Sequence, residues 1–158
     1  MNRLNIEVTI KIIKAMLAIT AVLLILPGFV VAQERLSVTS GIANIRSGPG
    51  TEYDVWWQVE QYHPFIIIEK KNDWYKIKDF ENEEAWLHKS LLSKMETVIT
   101  KIKKKGTCNI RSKPTTKSQI LFTVEAGVPF KVLERKKNWI KVEHTDGDVG
   151  WIYKILVW

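Results

Sequence analysis

The sequence predicts an all-β protein, two small β-barrels in tandem behind an N-terminal signal peptide. Three observations lead there. Asn44-Ile45-Arg46-Ser47 returns as Asn109-Ile110-Arg111-Ser112, 65 positions later, and the same offset runs on to the end of the chain. It pairs Pro49 with Pro114, Pro64-Phe65 with Pro129-Phe130, Trp74 with Trp139, Trp86 with Trp151 and Leu91 with Leu156. A self-match of this kind means one folding unit used twice. Within each copy, apolar residues alternate at period two between turn-forming clusters, the signature of strands. A basic and then apolar leader of a different composition precedes both copies.

The leader comes first. Arg3, Lys11 and Lys14 open it, Ala15 to Leu26 is apolar apart from Thr20, and Pro27-Gly28 ends the run before Val30-Val31-Ala32. Small residues after an apolar stretch suit a signal peptidase. Cleavage after Ala32 would leave Gln33 as the N-terminus and export the protein to the periplasm or the exterior. The competing reading is an uncleaved anchor. Residues 15–32 are about 18 residues long, the lower limit for spanning a bilayer, and Pro27-Gly28 interrupts them. The expected boundaries are 1–32 for the signal peptide, 33–97 for the first domain and 98–158 for the second. A Lys-rich linker is expected at about 98–105.

The units follow in order. Ser47-Gly48-Pro49-Gly50 and Ser112-Lys113-Pro114 open a loop after the first repeated strand. Phe65 to Ile68 and Phe130 to Leu133 are short β-rich runs. Tight turns at Lys71-Asn72-Asp73 and Lys136-Lys137-Asn138 lead into Trp74 to Lys78 and Trp139 to Val142. Glu81-Asn82-Glu83 and Asp146-Gly147-Asp148 read as hairpin turns. No mature segment shows a helical apolar stripe, so five short strands per unit are expected. At roughly 55–60 residues a unit is near the lower limit for a domain with its own core.

Charge separates the copies. The chain carries 24 Lys+Arg against 17 Asp+Glu, yet residues 33–97 hold 8 basic and 11 acidic side chains, and residues 98–158 hold 13 and 5. The basic half either meets something anionic or carries a solvated linker and surface. Cys108 is the only cysteine, so no disulfide forms within one chain, and its place beside the repeated strand reads as a buried thiol. His63, His88 and His144 have neither triad nor metal-ligand spacing. No cofactor and no metal are expected.

Alternation assigns the faces. Phe65, Ile67, Tyr75 and Ile77 point inward, as do Phe130, Val132, Ile140 and Val142, which leaves Trp74, Trp86, Trp139 and Trp151 on the other face. Trp74 and Trp139 are candidates for an aromatic floor, because indole combines a rigid apolar face with one donor. The alternative is that the tryptophans stack and seal the barrel. Tyr53, Trp56 and Tyr62 form a possible exposed cluster in the first unit, or an inter-domain contact. Arg46 and Arg111 read either as clamps for a carboxylate or as donors to their own loop carbonyls.

The series Asn-Ile-Arg-Ser-x-Pro, Pro-Phe, Trp-x-Lys and [Ala/Gly]-Trp-[Leu/Ile], twice in register, resembles the bacterial SH3-like (SH3b) domain over nearly the whole mature chain. The resemblance implies two SH3-like barrels that bind rather than catalyse, with cell-wall peptides as the usual ligand. It implies peptidoglycan stem peptide or another envelope component as partner. Nucleic acid is not expected, and membrane contact is expected only through an uncleaved leader. Trp74 and Trp139 look like the groove tryptophan of the eukaryotic relatives. The partner positions are His88 with Leu91, and Tyr153 with Leu156, so the polyproline groove is incomplete. Tyr153 joins the candidate site residues on that ground. The copies also depart from each other: Gln61-Tyr62-His63 stands opposite Ala126-Gly127-Val128, and Ala85 opposite Gly150. A different class of function is a scaffold that docks another envelope protein through Trp56.

Overall fold

The structure is a computed structural model that describes residues 11–14, 33–39, 41–102 and 106–158. The signal-peptide segment lies outside the described residues apart from a helical stretch at 11–14, and so does the proposed cut after Ala32. No helix among the described residues is long and apolar enough to cross a membrane.

Residues Gln33–Trp158 form one compact unit built of two antiparallel sheets. The first contains β1 (Arg35–Val38), β2 (Ile42–Arg46), β3 (Val55–Glu60), β4 (Pro64–Lys71), β5 (Trp74–Lys78), β6 (Glu84–His88) and β7 (Leu92–Ser93), in the order β3-β2-β6-β5-β4-β1-β7. The second contains β8 (Thr97–Ile99), β9 (Cys108–Arg111), β10 (Ile120–Val124), β11 (Pro129–Lys136), β12 (Trp139–Glu143) and β13 (Val149–Tyr153), in the order β10-β9-β13-β12-β11-β8. A single 3-10 turn, Lys89–Leu91 or Lys154–Leu156, follows the last long strand of each barrel.

Each sheet encloses its own core. Ile45, Phe65, Ile77 and Leu87 are fully buried in the first, and Ile110, Phe130, Val142 and Ile152 in the second. These are the inward positions of the alternating pattern, and each such side chain contributes roughly 1.5–3 kcal/mol of apolar burial. The predicted turns also form. Asn72 and Lys137 adopt φ 54° and 53°, and Asn82 and Gly147 adopt φ 74° and 95°, so one left-handed residue closes each hairpin in both copies.

The repeat extends further back than residue 41, but at a different offset. Leu36 pairs with Phe65 and Val98 with Phe130, so β1 and β8 are equivalent strands 62 positions apart. Backbone bonds repeat at the same spacing: Ile67 N donates to Glu34 O (2.8 Å) and Val132 N to Glu96 O (2.9 Å). The three-residue difference falls in the connection from β8 to β9, among Lys101 and the lysines that follow it. This corrects the expected linker at 98–105. Val98 and Ile99 are buried core of the second barrel, and the chain passes between the sheets at 94–96. Five strands per unit was an undercount: β1 and β8 lie outside the matched stretch, and the first sheet gains the two-residue β7 as well.

The barrels touch directly. Ser37 Oγ in β1 and Thr97 Oγ1 in β8 share a buried hydrogen bond of 2.7 Å, and Ser37 Oγ also donates to Met95 O at 3.0 Å. Burying these hydroxyls is tolerable because each finds a partner.

Candidate functional site

The two candidate tryptophans occupy matching corners. β5 presents Trp74 opposite His88 of β6, and β12 presents Trp139 opposite Tyr153 of β13. Both indoles are half-buried. Each meets its partner ring edge-to-face with centroids 5.3 Å apart, at 81° in the first barrel and 73° in the second. Such T-shaped pairs match the positive edge of one ring to the negative face of the other.

Each corner borders a cleft. In the first barrel the cleft is about 360 Å³ and is lined by Trp74, His88, Leu91, Asn44 and Arg46, among others. In the second it is about 410 Å³ and is lined by Trp139, Tyr153, Pro114, Asn138 and the Lys136-Lys137 turn. The polar lining therefore differs even though the aromatic corner is shared. His88 Nδ1 accepts from Ser90 N (3.3 Å) and lies 2.7 Å from Ser90 Oγ, so the imidazole also caps its 3-10 turn. Tyr153 makes no side-chain cap bond.

The arginines close loops. Arg46 Nη1 donates to the carbonyls of Tyr53 (2.7 Å) and Thr51 (3.1 Å), and Arg111 Nη1 donates to Ser118 O (2.8 Å). Tyr53 and Ser118 are equivalent positions, so the bond is part of the repeat. These bonds tie one terminal nitrogen of each arginine to its own loop, and Arg46 also borders the first cleft.

The expected cluster of Tyr53, Trp56 and Tyr62 does not assemble on the surface. Tyr62 is buried at 9 % exposure and holds φ 73° at the turn where Gly127 holds φ 84°. The chain there needs the left-handed region, and the ring turns inward. Tyr53 is exposed, with its ring over Gly48, where a Cβ would collide with it. Trp56 is 58 % exposed because it is the extra residue of a β-bulge: the register between β2 and β3 shifts between Ile45 and Arg46. Leu121 is bulged at the equivalent place. The bulge also breaks strict alternation, so Val55 is exposed and not on the face of Val59. A bulge re-aims side chains in just this way. Among the other outward assignments, Trp86 is half-buried but Trp151 is buried at 8 % exposure. Their strand partners are Arg46 and Arg111.

Cys108 is buried, and desolvation pushes its thiol up to about 11, the opposite of what a thiolate nucleophile needs. No group of three His, Cys, Asp or Glu among the described residues could hold a metal ion.

The described residues form a tandem of small antiparallel barrels, each with a tryptophan corner, and comparison with known proteins places both barrels in one family. The family model for the bacterial SH3 domain matches residues 39–94 and again 104–158. The chain belongs to that family. It is 23% identical over 129 residues to "Putative N-acetylmuramoyl-L-alanine amidase YrvJ" of Bacillus subtilis (strain 168), covering 77% of this chain and 25% of that protein. Similar solved structures include an NlpC/P60 family protein from Bacillus cereus ATCC 10987, with TM-score 0.37, 14% identity, and 79% and 56% of the two chains covered. NlpC1 from Trichomonas vaginalis gives TM-score 0.36, 14% identity, and 83% and 47% covered. The chain thus spans a quarter of the curated relative and about half of these solved chains.

Proposed function

We propose that this protein is an exported, non-enzymatic binding protein of the cell envelope, with the peptide part of the cell wall as its ligand. The observation that carries the proposal is the duplicated corner of Trp74 with His88 and Trp139 with Tyr153, each beside a cleft. Membership of the bacterial SH3 family supports it, as does a relative named for an amidase of the wall. In this reading domains 33–97 and 98–158, redrawn at 94–96, each offer one weak site. Linking two weak sites raises affinity without any new contact.

The test is co-sedimentation of residues 33–158 with isolated wall sacculi. Binding should be lost in the double variant Trp74→Ala/Trp139→Ala and weakened in each single variant. Truncating an aromatic anchor of this kind costs about 2 kcal/mol, roughly thirtyfold in affinity. Undiminished sedimentation of the double variant overturns the proposal.

Trp56 favours a second reading. A tryptophan 58 % exposed on a bulge, stacked on Trp57 at 6.2 Å between centroids, suits docking to another envelope protein. Capture of one protein partner that depends on Trp56, with no sedimentation on sacculi, would select this reading.

A further inference from the structure

The two aromatic corners differ most in the charge around them. In the loop after the Asn-Ile-Arg strand, Gly48, Glu52 and Asp54 of the first copy become Lys113, Lys117 and Gln119 of the second. At the turn before the tryptophan, Lys71-Asn72-Asp73 becomes Lys136-Lys137-Asn138, while Lys89 and Lys154 are the matching lysines of the 3-10 turns. Over these seven positions the first copy carries one net negative charge. The second carries five positive charges and no carboxylate.

The backbone beneath these side chains is shared. Lys89 N donates to Asp73 O at 2.8 Å and Lys154 N to Asn138 O at 2.9 Å, and Asn72 and Lys137 adopt the same left-handed conformation. In the first copy the Asp73 carboxylate meets Lys89 Nζ at 2.7 Å, and that bond lowers the Asp73 pKa. The second copy has an uncharged amide where that carboxylate stood and one more cation where Asn72 stood.

The substitutions reach the cleft itself. The first cleft opens toward Asn44, Arg46 and Thr51, and its turn does not line it. The second is lined by Lys136 and Lys137 together with Trp139, Tyr153 and Pro114, and by no acidic residue among the described ones. Both lysines are exposed, and neither forms an ion pair among the described residues. Like charges gathered in this way repel one another, and an anionic ligand relieves the repulsion. Lysines act as point charges on flexible stems, whereas the indole and phenol rings offer flat apolar contact with a polar tip. A peptide chain with acidic side chains satisfies both. A phosphate polymer would meet the charges and leave the rings against polar atoms.

We propose that the second corner selects an acidic peptide segment, with side-chain carboxylates at Lys136 and Lys137 and the peptide laid against Trp139, and that the first corner makes no such selection. This rests on the peptide reading above and adds the charge of the segment that the second barrel takes.

The test is fluorescence polarisation of the full chain with two dye-labelled, amidated pentapeptides, one alternating alanine with glutamate and the other alanine with glutamine, and with inorganic polyphosphate as competitor. At low ionic strength the glutamate peptide should bind about fivefold more tightly, and salt should shrink the advantage, as it does for exposed charges. Lys137→Asn/Asn138→Asp, which writes the first copy's turn into the second on the same backbone, should bring the two peptides within about twofold. Lys71→Gln/Lys94→Gln, which removes two positive charges from exposed positions away from the cleft, should keep the preference. Trp139→Ala should remove the advantage of the glutamate peptide. Equal affinity for the two peptides, including no binding of either, overturns the proposal. So does a preference that survives Trp139→Ala, one that falls as far in Lys71→Gln/Lys94→Gln as in the turn variant, or polyphosphate that binds more tightly than the glutamate peptide. These outcomes leave the wall reading standing, since that reading fails separately, through undiminished sedimentation of Trp74→Ala/Trp139→Ala on sacculi.

Discussion

The loop after the Asn-Ile-Arg strand is built twice with the same backbone and different fillings. Ser47 N donates to Asp54 O and Ser112 N to Gln119 O, both at 3.0 Å, and in both copies the arginine donates to the carbonyl of the equivalent residue, Tyr53 or Ser118. Above that frame the copies part. The first packs the Tyr53 ring on Gly48. The second uses the Ser118 hydroxyl, 2.8 Å from Lys113 O and 2.9 Å from Thr115 O. The comparison separates what the barrel requires, the arginine-to-carbonyl bond, from what each copy is free to vary. The same division holds at the turn before β4 and β11, where one backbone shape is occupied by Tyr62-His63 in one copy and Gly127-Val128 in the other.

Breaking the comparison at His63 should have the largest effect. Its imidazole is 8 % exposed, its Nε2 has no hydrogen-bond partner, and burial lowers its pKa to about 4. The unfolded chain, with a histidine near 6.5, therefore binds more protons than the folded one between those values. Stability from this residue is complete above pH 6.5 and is lost as pH falls toward 4, in total about 3 kcal/mol. Urea unfolding across that window should show the loss. His63→Val, which copies Val128, should flatten the slope, and an equally steep slope in that variant would assign the acid sensitivity elsewhere.

Position 150 comes next. Ala85 fits the first core at 2 % exposure, but a Cβ on Gly150 would overlap Ile110 Cγ2 and lie 3.2 Å from Arg111 O. Gly150→Ala should cost about 2 kcal/mol by overpacking, and Ala85→Gly about 1 kcal/mol or less. Equal costs in denaturant melts would mean the cores are equally tight there. Ser118→Ala should then cost about 1 kcal/mol, with Arg111 still closing the loop.

Two smaller effects sharpen the contrast. Cys108 stands where the first copy has Ala43, and as a buried thiol it should resist an aromatic disulfide reagent at pH 8 until the protein is unfolded. Fast labelling of the native chain would show that the second core opens. Glu84 pairs with Lys76 at 2.8 Å, whereas its equivalent in the second copy is Val149. Both partners are solvent-exposed, so Glu84→Val should leave the melting temperature unchanged within error.

Much of this was legible in the residues because it is local. Alternation placed Phe65, Ile77, Phe130 and Val142 in the cores, and Asn72, Lys137, Asn82 and Gly147 marked the hairpins. The Trp74 and Trp139 corners followed from the same period. Trp56 is exposed as expected, whereas the exposure of Val55 comes from a bulge that adds one residue to the strand, and no period of two can register it. Tyr62 was misplaced because a tyrosine in the left-handed region carries no sequence mark of its own. Strands β1 and β8 were missed because their spacing is 62 and not 65, with the difference absorbed among lysines.

By itself, then, the sequence determined the duplication, the all-β class, the two cores and the aromatic corners, all of which arise from residues close in the chain or repeated at one interval. Only the tertiary structure decided where one barrel ends and the next begins, which rings are exposed, and which residues far apart in the chain meet. Arg35 and Trp158 meet across 123 positions of the chain, and Ser37 and Thr97 across 60, distances that no local pattern encodes.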